Sequence, residues 1–407
     1  MSEFVKINKC PVKINKCTRC NMPVSYEGLS LDELGICEIC RASEEKMAIN
    51  WKKKRKELEK IFDKYRSKDN YDCIVPVSGG KDSAYQMHML KHEFNMNPLA
   101  VTYSHNLFSK EGRHNLKTML EQLDIDHIEY TPKRSLVNRM MTKSLSLIGD
   151  SCWHCHAGIG AFPLQMAIKL NIKLLVWGES AAEWGKCSTY SNPLNYDEDY
   201  FRKVSTKKGT DEMLRVNTSI SKQEVPFFYP PSAEQFKESK LQGIFMGDYI
   251  FWDGEYFTEF LVKHYGWKER KVEGTYKQYK SAECILTGAH DYSKYVKRGF
   301  GRGTDFATQD LRQGIISLDE FDELSNAYDS EEPLILDYYL KKTGMTKKEF
   351  YDTLIGMREE SGKELFDTGQ KNIFVDYKKN IIENNSELND EEFFERLIRE
   401  KENLFKG

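Results

Sequence analysis

The sequence predicts an α/β fold on a doubly wound parallel sheet, and three observations carry that reading. From residue 72 onward, short apolar runs alternate with longer stretches of helical spacing, the pattern of strands joined by crossover helices. The first run, Cys73-Ile-Val-Pro-Val77, passes into a glycine turn, Ser78-Gly79-Gly80, and then into a helix-compatible segment. Ser78, Tyr103, Ser104 and the pair Gly178-Glu179 each stand at the end of an apolar run. They are therefore expected together at the carboxyl edge of the sheet, where folds of this kind bind ligands.

Taken in order, strands are expected at 72–77, 98–103, 127–130 and 173–177, and helices at 82–93, 109–123, 134–147 and 157–170. The region from about 180 to 310 is aromatic and irregular; it is read as covering the ligand and forming the substrate pocket. Beyond it, Ser317-Leu-Asp-Glu320 and Thr346-Lys-Lys-Glu349 are capping boxes that start helices, and the acidic, Asn-rich end from Glu383 suggests a last amphipathic helix. The expected units are 1–45, 46–70, 71–310 and a helical region 311–407.

The turn Ser78-Gly-Gly-Lys-Asp-Ser83 promises a phosphate site, but Val75 stands where an NTPase P-loop requires glycine. What remains is a tight turn whose amides can approach an anion, followed by a helix whose free N–H groups favour negative charge. Ser78 and Ser83 can bond phosphate oxygens, Lys81 can neutralise them, and Asp82 can hold Mg²⁺. A bare Ser-Gly-Gly is equally at home in an ordinary strand-to-helix turn; the whole hexapeptide behind an apolar strand is more specific. Glu179, also closing a strand, can hold Mg²⁺ or the reacting group of a substrate, with helix capping as its plainer role.

The chain has 407 residues, ten cysteines, a formal charge of −3 and a pI near 6.4, which argues against a surface that binds nucleic acid throughout. Its N-terminus, MSEFVKINKC, does not read as a signal peptide, and no apolar run reaches membrane-spanning length; the expectation is a cytoplasmic protein without membrane contact. Cys17-x2-Cys20 and Cys37-x2-Cys40 suit a closed tetrahedral Zn²⁺ site of structural type. The first knuckle follows a duplication, Val5–Cys10 and Val12–Cys17, which makes Cys10 a by-product. Residues 46–68 carry ten Lys or Arg with Trp51, Leu58, Ile61 and Phe62 at helical intervals, a basic amphipathic helix read as a solvated connector.

Two further stretches bear on function. Lys294 to Gly314, KYVKRGFGRGTDFATQDLRQG, sets Lys294, Lys297, Arg298 and Arg302 among glycines, with Asp305 and Asp310 able to orient them; such a run suits a phosphate or carboxylate, or else is a basic turn before a helix. Cys152-Trp-His-Cys155-His156 can be a second metal or iron–sulfur site, a redox pair or two buried thiols. Spacing alone does not favour a cluster, since a C-x2-C pair needs further ligands. Cys73 and Cys187 read as small core residues.

The loop at 78–83 resembles that of the pyrophosphatase-loop (PP-loop) ATP enzymes, which include GMP synthetase, asparagine synthetase and the tRNA thiolases. The resemblance implies a sheet of the adenine-nucleotide α-hydrolase type, ATP and Mg²⁺ as ligands, and cleavage of ATP between its α- and β-phosphates. Some thiolases also combine a Cys₄ zinc module with a [4Fe–4S] cluster, for which Cys152, Cys155 and Cys284 are available. The 294–314 run, together with Cys17-x2-Cys20-Asn-Met-Pro23, the loop and Leu175-Val-Trp-Gly-Glu-Ser180, is similar instead to the N-acetyl sugar amidotransferases of LPS O-antigen and nonulosonic-acid biosynthesis.

That second resemblance spans about residues 17–330. It implies adenylation of the N-acetyl carbonyl of an activated sugar, release of pyrophosphate and addition of ammonia to give an acetamidino sugar. Lys81, Asp82 and Glu179 are then the catalytic candidates. ATP falls to Ser78, Gly79, Gly80, Lys81, Asp82, Ser83, Tyr103 and Gly178, and the sugar to Lys294, Lys297, Arg298, Arg302 and Asp305. Ammonia is implied to come from a separate glutaminase and an ammonia-delivering barrel subunit, similar to the pair used in histidine biosynthesis.

Overall fold

A computed structural model of the chain describes residues 16–26, 28–184, 189–191, 208–215 and 220–358. The opening duplication up to residue 15, Cys187 and the helix expected from Glu383 lie outside the described residues.

Five strands form one parallel sheet in the order β3-β2-β1-β4-β5: β1 Cys73–Pro76, β2 Pro98–Tyr103, β3 His127–Tyr130, β4 Leu174–Trp177 and β5 Gln242–Phe245. The register sets Ile74 against Leu99 on one side and Leu175 on the other. Because strand side chains alternate, Cys73, Val75 and Val77 face one layer and Ile74 the other. The first layer contains α3 (Lys81–His88), which runs on into a π-helical turn at Met89–Glu93, and α4 (Lys110–Leu123). The second contains α5 (Arg134–Ile148) and α6 (Trp153–Lys169). Burial on both faces is what continuous Val/Leu/Ile runs specify.

Three expectations change. The basic helix over 46–68 is two helices, α1 Glu38–Ala48 and α2 Trp51–Tyr65, because the Asn50 side chain accepts from Lys53 N and restarts the helix after extended Ile49. It is no solvated connector: Leu58 and Phe62 are fully buried in the sheet's first layer. Helix α6 begins four residues before the expected start at 157, since the Cys152 carbonyl already accepts from Cys155 and His156 N–H. β5 was hidden in the irregular region, four residues long and preceded by Lys240 at φ 54°.

The expected capping boxes are present at Ser317 and Thr346 and start helices Leu318–Asp329 and Lys347–Gly356. With Ile335–Thr343, the latter packs on α5 and on Thr287–Arg298 around a third apolar cluster. No helix among the described residues is long and apolar enough to cross a membrane.

Candidate active site

The loop after β1 is braced by its own serines. Ser78 N–H donates to Ser83 Oγ at 3.3 Å, Gly80 N–H to Ser78 Oγ at 3.4 Å, and Ser83 Oγ to the Gly80 carbonyl at 3.2 Å. Gly79 has φ 80°, and a Cβ there would lie 2.3 Å from the Gly112 carbonyl oxygen. Its freedom thus serves packing against α4, and it lines neither of the cavities described next.

Two cavities meet at Ser78, Asp82, Ser83 and Glu179. The smaller, about 180 Å³, runs under the strand ends between Val101, Tyr103, Ile159, Pro163, Trp177 and Gly178. The larger, about 320 Å³, is closed by Tyr279, Lys280, Glu283, Arg302, Phe306 and Arg312, and by Met22, Tyr26 and Ile39 from the cysteine-rich segment.

Charge is concentrated where they join. Lys81, 1 % exposed, holds Nζ 2.5 Å from Asp82 and 3.9 Å from Glu179; Lys280 Nζ lies 3.8 Å from Glu179. Trp252 Nε1–H donates to Asp82 Oδ1 at 3.0 Å. Burial alone would depress the Lys81 ammonium, but Asp82 and Glu179 outweigh it and hold its pKa above the ordinary value. Burial works against the Asp82 carboxylate too, and Lys81 and Lys280 keep it ionised below its usual range. Glu179 is pushed up to about 7 by burial and by the Asp82 charge. Burial, then Lys81, lowers Lys280. Glu283 is raised by burial, and its Oε2 is a buried acceptor without a partner.

The 294–314 run is not an open glycine loop. Lys297 and Arg298 occupy the last turn of the helix Thr287–Arg298, where cations complement the terminal carbonyls, Lys294 lies a turn earlier, and Gly299 at φ 89° terminates the helix. Lys297 donates to the Ile148 carbonyl, and Arg298 pairs with Asp305 and lies over the Phe300 ring. These three line neither cavity. Arg302 and Asp305, in the next helix Arg302–Arg312, do line the larger one. Arg302 is fixed by two contacts to Asp291 and reaches Ser281 Oγ at 3.2 Å. Asp310 instead accepts from Tyr276 and Lys277.

Sequence reasoning missed Tyr279, Lys280, Glu283 and Arg312. The first three fall in an uninterpreted stretch, Tyr279-Lys-Ser-Ala-Glu283, held in place by the segment after β2, where Ser109 N–H donates to the Glu283 carbonyl and Ser109 Oγ to the Ala282 carbonyl; Arg312 stands in the 294–314 run but carries no signal there that sets it apart.

The four cysteines can hold zinc. Sγ of Cys17 lies 3.8 Å from that of Cys40, and Cys20 Sγ lies 3.7 Å from Cys37; Zn–S bonds of about 2.3 Å in a tetrahedron separate sulfurs by roughly 3.8 Å. Cys37 N–H donates to Cys17 Sγ, and Arg312 Nη2 approaches Cys20 Sγ at 3.8 Å. Cys152 precedes the first residue of α6 and Cys155 lies in its first turn; burial raises both thiols and that of Cys284.

Residues 273–389 match the family model described as LPS biosynthesis protein WbpG-like, C-terminal domain. Within its described part, the match takes in Lys280, Glu283, Arg302, Asp305 and Arg312, one wall of the larger cavity. The match supports the LPS-biosynthesis resemblance. The chain is also 29 % identical over 119 residues to the uncharacterized protein MJ1599 of Methanocaldococcus jannaschii, an alignment that covers 29 % of this chain and 40 % of that protein. The chain thus spans well under half of that relative.

Proposed function

We propose that the chain is an ATP-dependent amidotransferase of surface-polysaccharide biosynthesis, converting the N-acetyl group of an activated sugar into an acetamidino group. One observation carries the reading: an apolar cavity and a polar cavity, lined by Lys81, Lys280, Arg302 and Arg312 together with the carboxylates of Asp82, Glu179, Glu183, Glu283 and Asp305, join at Ser78, Asp82, Ser83 and Glu179. The first suits the nucleoside of ATP. The second suits its phosphates and a polar second substrate, with Arg302 and Asp305 for substituents and Tyr279 and Phe306 offering faces to a sugar ring. The similarity over 273–389 supports the polysaccharide side of the proposal.

An amide carbonyl is a poor electrophile. Attack of its oxygen on the α-phosphorus forms a P–O bond and expels pyrophosphate, whose developing charge Lys81 and Lys280 neutralise. Asp82 and Glu179 would hold the Mg²⁺ that accompanies the phosphates, an ion that supplies positive charge to them; a cation there relieves the repulsion that raises Glu179. Ammonia then adds to the carbon, the C–O bond to AMP breaks with its electron pair, and an amidinium remains. One proton leaves the attacking nitrogen, and Glu283, with its unpartnered Oε2, is assigned to accept it. Zinc on the four cysteines fixes the wall formed by Met22, Tyr26 and Ile39. Ammonia is supplied by a separate glutaminase and delivery subunit, so the isolated chain works with ammonium salts but not with glutamine.

The test is pyrophosphate release from Mg-ATP and ammonium with activated N-acetyl sugars. A second reading, a tRNA thiolase with a [4Fe–4S] cluster, would need Cys152, Cys155 and Cys284 to draw together, since their sulfurs do not all lie within 4.8 Å of one another; release with tRNA in the same assay would select it.

A further inference from the structure

Away from the two cavities, three side chains from separate parts of the chain converge. Asp150 precedes α6, His156 lies in its first turns, and His290 lies on the helix Thr287–Arg298; one ligand atom from each falls within 4.8 Å of the others. His290 is 9 % exposed, and its Nε2 has no hydrogen-bond partner although Asp150 Oδ1 is 3.3 Å away. Its Nδ1 is 3.1 Å from Asp291 Oδ1. An imidazole held by a carboxylate through one nitrogen, with the other facing a second carboxylate without an aligned hydrogen bond, is arranged as a metal ligand. Bonds of about 2.0 Å to a tetrahedral ion set ligand atoms roughly 3.3 Å apart, the separation of His290 Nε2 and Asp150 Oδ1, and the His156 ligand atom lies within 4.8 Å of both.

We infer that Asp150, His156 and His290 form a second metal site, for a borderline divalent ion such as Zn²⁺, which positions Arg302 through His290 and Asp291. Two imidazoles and one carboxylate suit such an ion better than Mg²⁺, which prefers oxygen ligands. Three protein ligands leave a coordination position for water, and exposed His156 opens the site to solvent. A cation on Nε2 makes Nδ1–H a better donor to Asp291, and the same carboxylate grips Arg302 at the cavity wall. Opposing the ion is Lys294, whose Nζ lies 4.0 Å from Asp291 Oδ1; the charges of Asp150 and Asp291 offset it.

The test uses the full chain, loaded with Zn²⁺ and freed of excess ion by gel filtration. Expected are two zinc ions per chain, falling to one in His156→Ala, an exposed position whose replacement leaves the circular dichroism unchanged. In His156→Ala, as in Arg302→Lys, KM for the second substrate rises while KM for ATP does not. The second equivalent of Co²⁺ gives absorption without thiolate charge transfer. One zinc in the wild type, or two retained in His156→Ala, would overturn the site. Thiolate absorption from the second equivalent that vanishes in Cys152→Ser would overturn it as well, moving the metal to the neighbouring cysteines.

Discussion

Nζ of Lys81 lies 2.5 Å from the carboxylate of Asp82, the next residue in the chain, at the first turn of the helix that follows the glycine loop. A Cβ at Gly254 would lie 2.8 Å from Lys81 Cε, so the walls fit the lysine stem closely. Lys81→Ala is expected to lower pyrophosphate release at least ~100-fold, the scale of losing one charge-stabilising donor, with zinc content unchanged. Lys81→Arg should not rescue it, because the larger head has no room. Turnover within a few-fold of wild type in either variant would remove the assigned role.

The pH behaviour follows from Glu179. Its folded pKa of about 7 lies above the ordinary carboxylate value of 4.5. Between those values the folded chain keeps a proton that the unfolded chain has lost, so the group makes stability fall as pH rises through that window. Thermal unfolding of wild type and Glu179→Gln at pH 5 and pH 7.5 should show a smaller pH dependence in the variant. Mg²⁺ needs the ionised form, so its affinity in the wild type should strengthen as pH rises towards about 7 and then level off. Parallel curves for the two proteins would count against this environment for Glu179.

Much of this arrangement was legible in the chain. Strands β1 to β4 and their helices follow from apolar runs bounded by turn residues, and the boundaries at Pro98–Tyr103 and His127–Tyr130 agree with the structure. Ser78, Gly80, Lys81, Asp82, Ser83, Tyr103, Gly178 and Glu179 could be grouped because they lie at or just after strand ends, and a parallel sheet places such residues on one edge. Lys280, Glu283 and Arg312 could not, because tertiary packing alone brings them there. The run at 294–298 misled for a local reason: closely spaced glycines suggest an open loop, whereas Gly299 ends one helix and Gly301 precedes the next.

Gly79 separates a packing glycine from a ligand-facing one. At φ 80°, with the Gly112 carbonyl 2.3 Å from a built Cβ, Gly79→Ala must both strain the backbone and displace α4. A loss of at least ~2 kcal/mol is expected from strain of this kind plus the clash, read as a lower denaturant midpoint. Stability equal to wild type would show that the loop relaxes freely.

Glu283 is assigned to the proton from ammonia. Glu283→Gln keeps the shape but cannot accept that proton, so kcat for amidine formation should fall about 100-fold or more, with KM for ATP little altered. An unchanged kcat would pass the role to another group.

The cysteine site should act on one cavity and not on the other. Met22, Tyr26 and Ile39 line only the larger cavity, so Cys20→Ser, which removes one zinc ligand, should raise KM for the second substrate well before KM for ATP. Equal effects on both would indicate general unfolding, and no effect would detach the module from the site.

The most direct measurement is pyrophosphate release from Mg-ATP and ammonium with a panel of activated N-acetyl sugars and with unmodified tRNA, followed by mass spectrometry of the substrate that responds. The expected result is release with a sugar and a product in which one oxygen has become NH. Release with tRNA alone, or with no substrate in the panel, would contradict the amidotransferase proposal.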